Sequence, residues 1–347
     1  MFEDIKPDEL YKRKVQQSHT IVDVRSPKEF QESTIPGSIN IPVFTDEERS
    51  EVGTIYKQVG PEAAKQRGLA IFSKKLPDFI ARFQQIDTPV TVFCWRGGMR
   101  SKTAATVVDL MGVRNVTRLN GGIRAYRKWA VSLLDEMDFA PELIVLNGGT
   151  GNGKTIILER LQEEGYPVIN LEQMAGHRGS IFGHIGMEPN NQRAFDFLLL
   201  EKMLEYQNEP FVFAEGESKR IGKITIPDKF YQKKERSRQL FIDLPLEKRV
   251  AHILEVYQPT KHPERFMEAF SRIKRRIHTP IAREIEQCLE SGEYAVAAEL
   301  LLVHYYDPQY NHSASCPEDQ QTHIRAVSVE DAIEKIKLDI QQTKAQG

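Results

Sequence analysis

Cysteine is scarce in this chain: 347 residues hold only Cys94, Cys288 and Cys316. The three fall at no metal-ligand spacing, which argues against a zinc site, and they are too few for a disulfide framework. Long apolar runs are absent as well. No stretch approaches the ~18 residues of a transmembrane helix, so no membrane partner is expected. The opening Met1-Phe2-Glu3-Asp4-Ile5-Lys6-Pro7 lacks the profile of a signal peptide. These absences predict a soluble cytoplasmic protein, a compartment in which a free thiol stays reduced. Excess charge is missing too: the formal net charge is −2, which excludes a global basic field. There is no low-complexity segment and no internal repeat. The length suits two domains, expected at 1–135 and 136–347.

The basic residues that are present are unevenly placed. Between Lys219 and Arg238 eight Lys or Arg stand against Asp228 and Glu235, a local net charge of +6. Lys219, Arg220, Lys233 and Lys234 belong to this stretch, and Arg275 and Arg276 to a second basic run, Arg272-Ile273-Lys274-Arg275-Arg276. Such clusters on a near-neutral chain suggest a polyanion site. A solvated loop or a lid over a nucleotide stays open as the alternative.

One cysteine sits in an informative setting. Cys94 heads the run Cys94-Trp95-Arg96-Gly97-Gly98-Met99-Arg100-Ser101, directly after the strand-like Val90-Thr91-Val92-Phe93. The pattern places Cys94 at a sheet's carboxyl edge and begins a helix near Ser101. A loop at a helix N-terminus turns several backbone N–H groups inward and favours an anion, whether a thiolate, a persulfide or an oxyanion. Arg96 and Arg100 add charge. Cys288 and Cys316 are expected to be bystanders, with a resolving role for Cys316, beside His312, as the alternative.

A second loop follows about fifty residues later. Gly148-Gly149-Thr150-Gly151-Asn152-Gly153-Lys154-Thr155 fits the phosphate-loop pattern in full. It follows a strand-like run, 142–147, and precedes a helix-like one, which is the context the pattern requires. Backbone N–H groups of Gly148, Gly151 and Gly153 would cradle phosphate, Lys154 would reach the terminal phosphate, and Thr155 is placed to ligate Mg²⁺. The motif establishes polyphosphate binding and says nothing of hydrolysis.

Beyond this loop, strand-like runs at 166–171, 210–216 and 239–244 alternate with helical ones at 190–207 and 246–257, as in a parallel sheet wrapped by helices. The segments 262–302 and 328–343 are helical by periodicity. Glu215 and Glu217 end one strand and are candidates to hold Mg²⁺, to act as a base, or to pair with Lys219 or Arg220. The loop His177-Arg178-Gly179-Ser180, rich in donors, is a candidate ligand loop. Tyr305-Tyr306-Asp307-Pro308 is read either as a stacking platform for a base or as core.

Taken together, these segments resemble known families. Thr20-Ile21-Val22-Asp23-Val24-Arg25-Ser26-Pro27, Ile35-Pro36-Gly37-Ser38-Ile39-Asn40-Ile41-Pro42, the Cys94 loop and Leu119-Asn120-Gly121-Gly122-Ile123-Arg124 are similar to the rhodanese domain, in the expected order. Within that domain Asp23 and Arg25 are expected to be structural. Joined to a phosphate-loop half, and with Val52-Gly53-Thr54-Ile55-Tyr56-Lys57-Gln58, Glu217-Ser218-Lys219-Arg220-Ile221-Gly222 and Tyr305-Tyr306-Asp307-Pro308, the chain resembles the bacterial tRNA 2-selenouridine synthases over nearly its whole length. One departure is Asn190-Asn191-Gln192, where that family tends to carry Ser-Gln.

The resemblance implies a fold of two α/β parallel-sheet domains, rhodanese-like and then phosphate-loop-like with a helical extension. It implies a transferase that replaces the sulfur of a wobble 2-thiouridine by selenium. Geranyl diphosphate would first alkylate the sulfur, and selenium from selenophosphate would then displace the geranylthio group. Cys94, Arg96 and Arg100 would be catalytic. His177, Arg178, Ser180, Glu215 and Glu217 would support the ligand or a Mg²⁺ ion, and the basic residues would hold the tRNA anticodon arm. No tightly bound cofactor is implied, no metal is assigned, and the implied partners are tRNA and a selenophosphate-supplying enzyme. A sulfurtransferase fused to an ATP-dependent small-molecule kinase, and a regulatory nucleotide-binding protein, are the alternatives from other classes.

Overall fold

The computed structural model describes residues 2–16, 18–113, 115–310 and 321–346. Cys316 and His312 lie outside the described residues. The chain divides into two compact units, Met1–Leu134 with Asp196–Leu200, and Asp135–Phe195 with Glu201–Gly347.

The first unit is built on five short strands: β1 (Glu3–Ile5), β2 (Thr20–Asp23), β3 (Ile39–Asn40), β4 (Val90–Phe93) and β5 (Val116–Leu119). Their order is β1-β5-β4-β2-β3, and every neighbouring pair is parallel. All four residues of β4 are buried, as expected of a central parallel strand covered on both faces. Asp23 and Arg25 form a buried ion pair: Arg25 Nε donates to Asp23 Oδ1 at 3.0 Å and Nη2 to Oδ2 at 2.5 Å. Arg25 Nη2 also donates to the Ser33 carbonyl at 2.7 Å, so the pair ties down the loop after β2. This is the structural role expected of it.

The second unit carries β6 (Glu142–Asn147), β7 (Val168–Ile169), β8 (Phe211–Glu215), the two-stranded hairpin β9 (Arg220–Ile221) and β10 (Ile224–Thr225), then β11 (Arg238–Asp243) and β12 (Gln321–Arg325). Its sheet runs β12-β11-β6-β8-β7, again parallel throughout. The helices Lys154–Glu163 and Val329–Gln346 cover it, burying Ile157, Leu158, Leu161, Ala332, Ile333, Ile336 and Ile340 in one cluster with Ile144, Phe213 and Leu240. A second cluster unites the helices Pro263–Ile273, Thr279–Ser291 and Tyr294–Leu301.

Three features depart from the periodicity reading. β7 is shorter than the run 166–171, because the Asn170 side chain accepts from Gln173 N at 2.8 Å and caps a new helix, Leu171–Ala175. β12 was not visible in the sequence: of its five residues only Ile324 is buried, so an edge strand leaves no apolar alternation to read. The basic stretch contains the hairpin β9–β10 and the helix Asp228–Glu235. The Asn190-Asn191-Gln192 departure has a local reason: Asn191 Oδ1 accepts from Ala194 N at 3.1 Å and caps the helix Gln192–Tyr206.

Candidate functional site

Cys94 follows β4 directly, at the carboxyl edge of the first sheet, and the helix Met99–Leu110 starts five residues on. The thiol is buried, with Sγ 3.1 Å from Ser101 Oγ. The Cys94 carbonyl accepts from Ile123 N at 2.9 Å, and the Trp95 carbonyl from Arg124 N at 3.2 Å. The loop is thereby clamped to the turn after β5. Gly97 has φ +65°, and a Cβ there would meet the Gly121 nitrogen at 2.7 Å, so no other residue fits without moving backbone. Arg96 is exposed. Arg100 is engaged: Nη1 and Nη2 donate to the two carboxylate oxygens of Glu29 at 2.5 and 3.1 Å. Arg100 therefore holds the loop to the segment after β2 and spends its charge on Glu29, whereas Arg96 is the loop cation open to solvent.

In the second unit the phosphate loop joins β6 to the helix Lys154–Glu163. Gly148, Gly151 and Gly153 all have positive φ. Lys154 Nζ folds back and donates to the Gly148 carbonyl at 2.7 Å, inside the loop's own curl. The loop's outer side is braced by Arg249, whose Nε donates to the Thr150 carbonyl at 2.9 Å and whose guanidinium pairs with Asp307 at 3.0 and 2.6 Å.

Carboxylates gather at the same sheet edge. Thr155 Oγ1 donates to Glu172 Oε2 at 3.1 Å, and Glu172 N donates to Glu215 Oε2 at 2.7 Å. Glu215 is fully buried, and its Oε1 has no hydrogen-bond partner among the described residues. Burial pushes Glu172 up to about 8, and the charge of Glu217 adds to the rise. Burial, with Glu172 and Glu217 beside it, holds Glu215 well above the usual carboxylate range. Sequence reasoning found Glu215 and Glu217 but missed Glu172. The signal was an acid directly after the strand-like run 166–171, three residues past the end of β7.

A cavity of about 1300 Å³ spans this edge. The phosphate loop, Glu172, Glu217, Arg178, Gly179 and Ser180 all line it, as do Tyr231 and Lys234. His177 stands behind that wall: a Cβ on Gly183 or on Gly222 would meet its ring at 2.9 and 2.8 Å. Burial lowers its pKa. The cavity adjoins a narrow apolar slot of about 40 Å³, walled by Phe182, Phe266, Leu289, Tyr294, Ala297 and Leu301. Thr150, Ser180, Ile253, Tyr257 and Tyr306 line both.

The basic residues do not form one exposed ribbon. Arg220, Arg275 and Arg276 are exposed, and Lys233 is half-buried. Lys219 pairs with Asp228. Lys234 departs from the expected solvent-facing phosphate contact: its side chain is 3% exposed and bonded to Glu235 at 2.5 Å. The helix Asp228–Glu235 explains this, because Phe230 and Lys234 stand four apart on one face and are both buried. Lys219 and Lys234 each lie 5.0 Å from the ring centre of Tyr231.

No helix among the described residues is long and apolar enough to cross a membrane. Residues 6–128 match the rhodanese-like domain, and residues 141–342 match the domain described as the tRNA 2-selenouridine synthase AAA domain. The chain is 33% identical to the tRNA 2-selenouridine synthase of Bdellovibrio bacteriovorus, over 88% of this chain and 92% of that protein. It is 34% identical to the tRNA 2-selenouridine synthase of a Sulfurovum species, over 84% and 88%. Among solved structures, a rhodanese-related protein from Thermoplasma volcanium is 21% identical over 37% of this chain and 93% of that one, with a TM-score of 0.24. With the second domain's match covering more than half of its length, the chain belongs to the tRNA 2-selenouridine synthase family.

Proposed function

We propose that this protein converts wobble 2-thiouridine of tRNA to 2-selenouridine in two steps, one in each unit. The observation that carries the reading is the phosphate-loop cavity that adjoins an apolar slot through shared lining residues. A polar phosphate cradle beside a narrow apolar slot suits a ligand with a diphosphate head and a hydrocarbon tail, such as geranyl diphosphate.

In the first step the thiocarbonyl sulfur attacks C1 of the geranyl chain, and the C–O bond to diphosphate breaks. The loop N–H groups and Lys154 stabilise the charge collecting on the departing diphosphate. Thr155 Oγ1 and Glu172, 3.1 Å apart, are oxygen donors of the kind Mg²⁺ takes. Bound there, the ion would supply further neutralisation of the diphosphate. In the second step the selenium of selenophosphate adds at C2 of the base and geranylthiolate leaves, taking up a proton; water then cleaves the P–Se bond, releasing phosphate and leaving selenium on C2. Cys94 would orient the incoming selenium, Arg96 and the loop amides would hold the anion, and Arg100 would keep the loop in place through Glu29. Arg220, Lys233, Arg275 and Arg276 are the basic residues free to meet the anticodon arm. A separate enzyme must supply the selenophosphate.

The test is geranyl transfer to a 2-thiouridine anticodon stem-loop. Wild-type protein should transfer the group, and Lys154→Ala should lose transfer by about 100-fold or more while still binding the stem-loop. Undiminished transfer by Lys154→Ala would overturn the assignment of this loop, and ATP turnover on a small metabolite without RNA would favour the kinase.

A further inference from the structure

We propose that Tyr257 and Tyr306 form an aromatic collar at the mouth of the apolar slot, facing the reacting carbon of an allylic diphosphate and stabilising the cation that develops there. The inference rests on the reading of this cavity as a prenyl diphosphate site.

Of the five residues that line both cavity and slot, Thr150, Ser180, Ile253, Tyr257 and Tyr306, none carries a carboxylate. A diphosphate seated on the loop with its tail in the slot must put C1 at this neck. The two phenol rings are the only groups in that shared set with a negative face to offer a cation. The Tyr257 ring already carries one: the Arg178 guanidinium lies 5.0 Å from its centre. The Tyr257 hydroxyl is 3.0 Å from Ser180 Oγ, which fixes the ring at the neck. The Tyr306 hydroxyl is buried and has no hydrogen-bond partner among the described residues.

The backbone is shaped to deliver Tyr306. Residues Leu302–Tyr306 form a single π-helical stretch between the helices Tyr294–Leu301 and Asp307–Tyr310. Such bulges reset the register of a helix and recur at functional sites. Here three successive residues reach three places. Tyr305 packs into the helical core, Tyr306 lines the cavity and slot, and Asp307 pairs with the Arg249 that braces the phosphate loop.

The step balances as follows. The C1–O bond breaks, and its electron pair leaves with the diphosphate. A sulfur lone pair of the 2-thiouridine forms the C1–S bond, and the N3 proton of the base passes to the diphosphate. The rings add nothing covalent. They offset positive charge on C1 to C3 and keep water from competing with sulfur. The slot is narrow, so a prenyl chain enters it by parting the side chains that wall it.

Single-turnover geranyl transfer to the thiolated stem-loop tests the collar in the full-length protein. Binding of the unreactive analogue geranyl S-thiolodiphosphate serves as the second readout. Tyr257→Leu and Tyr306→Leu should each slow transfer about thirty-fold, the size of one desolvated cation–π contact. Analogue affinity should change less than about threefold, which also shows that each variant is folded, and Tyr257→Phe and Tyr306→Phe should keep most of the rate. Leu variants as fast as wild type would overturn the collar. So would rate losses matched by equal losses of analogue affinity, or Phe variants as slow as the Leu variants. Wild-type protein that transfers no geranyl group would overturn the prenyl reading itself, and the collar with it.

Discussion

Arg100 grips Glu29 through both terminal guanidinium nitrogens, at 2.5 and 3.1 Å, across a sequence separation of 71 residues. Burial works against the Glu29 charge, yet the Arg100 hydrogen bonds and charge, with the Ser26 N–H and Arg49, hold its carboxyl below the usual range. The second arginine of the Cys94 loop is thus a tether. Arg100→Ala should cost about 1–3 kcal/mol in urea unfolding, because a partly buried carboxylate loses its two-pronged partner and keeps only the Ser26 N–H and the longer contact to Arg49. Adding Glu29→Gln to that variant should recover part of the loss. A double-mutant cycle with no coupling energy would show that the pair contributes nothing.

Cys94→Ser should abolish selenium insertion while the S-geranylated nucleoside accumulates. The oxygen keeps the contact to Ser101 but is a harder, less polarisable partner than sulfur for the incoming selenium. Mass analysis of wobble nucleosides from a strain carrying only the variant reads both species, and normal 2-selenouridine would remove Cys94 from the mechanism.

Lys233 and Lys234 are neighbours with different surroundings. Lys233→Ala should weaken tRNA binding and reduce the salt slope by about one unit, since a phosphate contact releases counterion. Lys234→Ala should leave that slope unchanged and weaken binding of a free diphosphate, because Lys234 lines the phosphate-loop cavity. Titrating both ligands at several salt concentrations distinguishes the two residues.

The carboxylates Glu172 and Glu215 predict a pH dependence of stability. Both have raised pKa values in the folded chain, Glu172 at about 8. Between about 4.5, the unfolded value, and 8 the folded state keeps a proton that the unfolded state has released. Stability therefore falls as pH rises through this window, by at most about 1.4 kcal/mol per pH unit for each proton. Thermal midpoints in EDTA between pH 5 and 8.5 should show the fall, and Glu172→Gln or Glu215→Gln should flatten it. A midpoint that rises toward pH 8 in the wild type would contradict the assignment.

Sequence alone determined the two chemical loops, the parallel α/β class and the order of the units. The reason is that each loop is contiguous: a buried strand, a glycine-bearing turn and a helix start lie within about fifteen residues, so local backbone rules suffice. Tertiary structure decided what surrounds them. Glu172 meets Thr155 from 17 residues away and Glu215 from 43, and Arg249 pairs with Asp307 across 58. Charge counting made Lys234 a surface cation, yet its helix turns it inward beside Phe230. Tyr306 read equally as a stacking platform or as core, and a π-helical turn with no compositional signature put it at the neck of a slot. Burial, register and long-range pairing depend on which faces pack together, and spacing along the chain does not encode them.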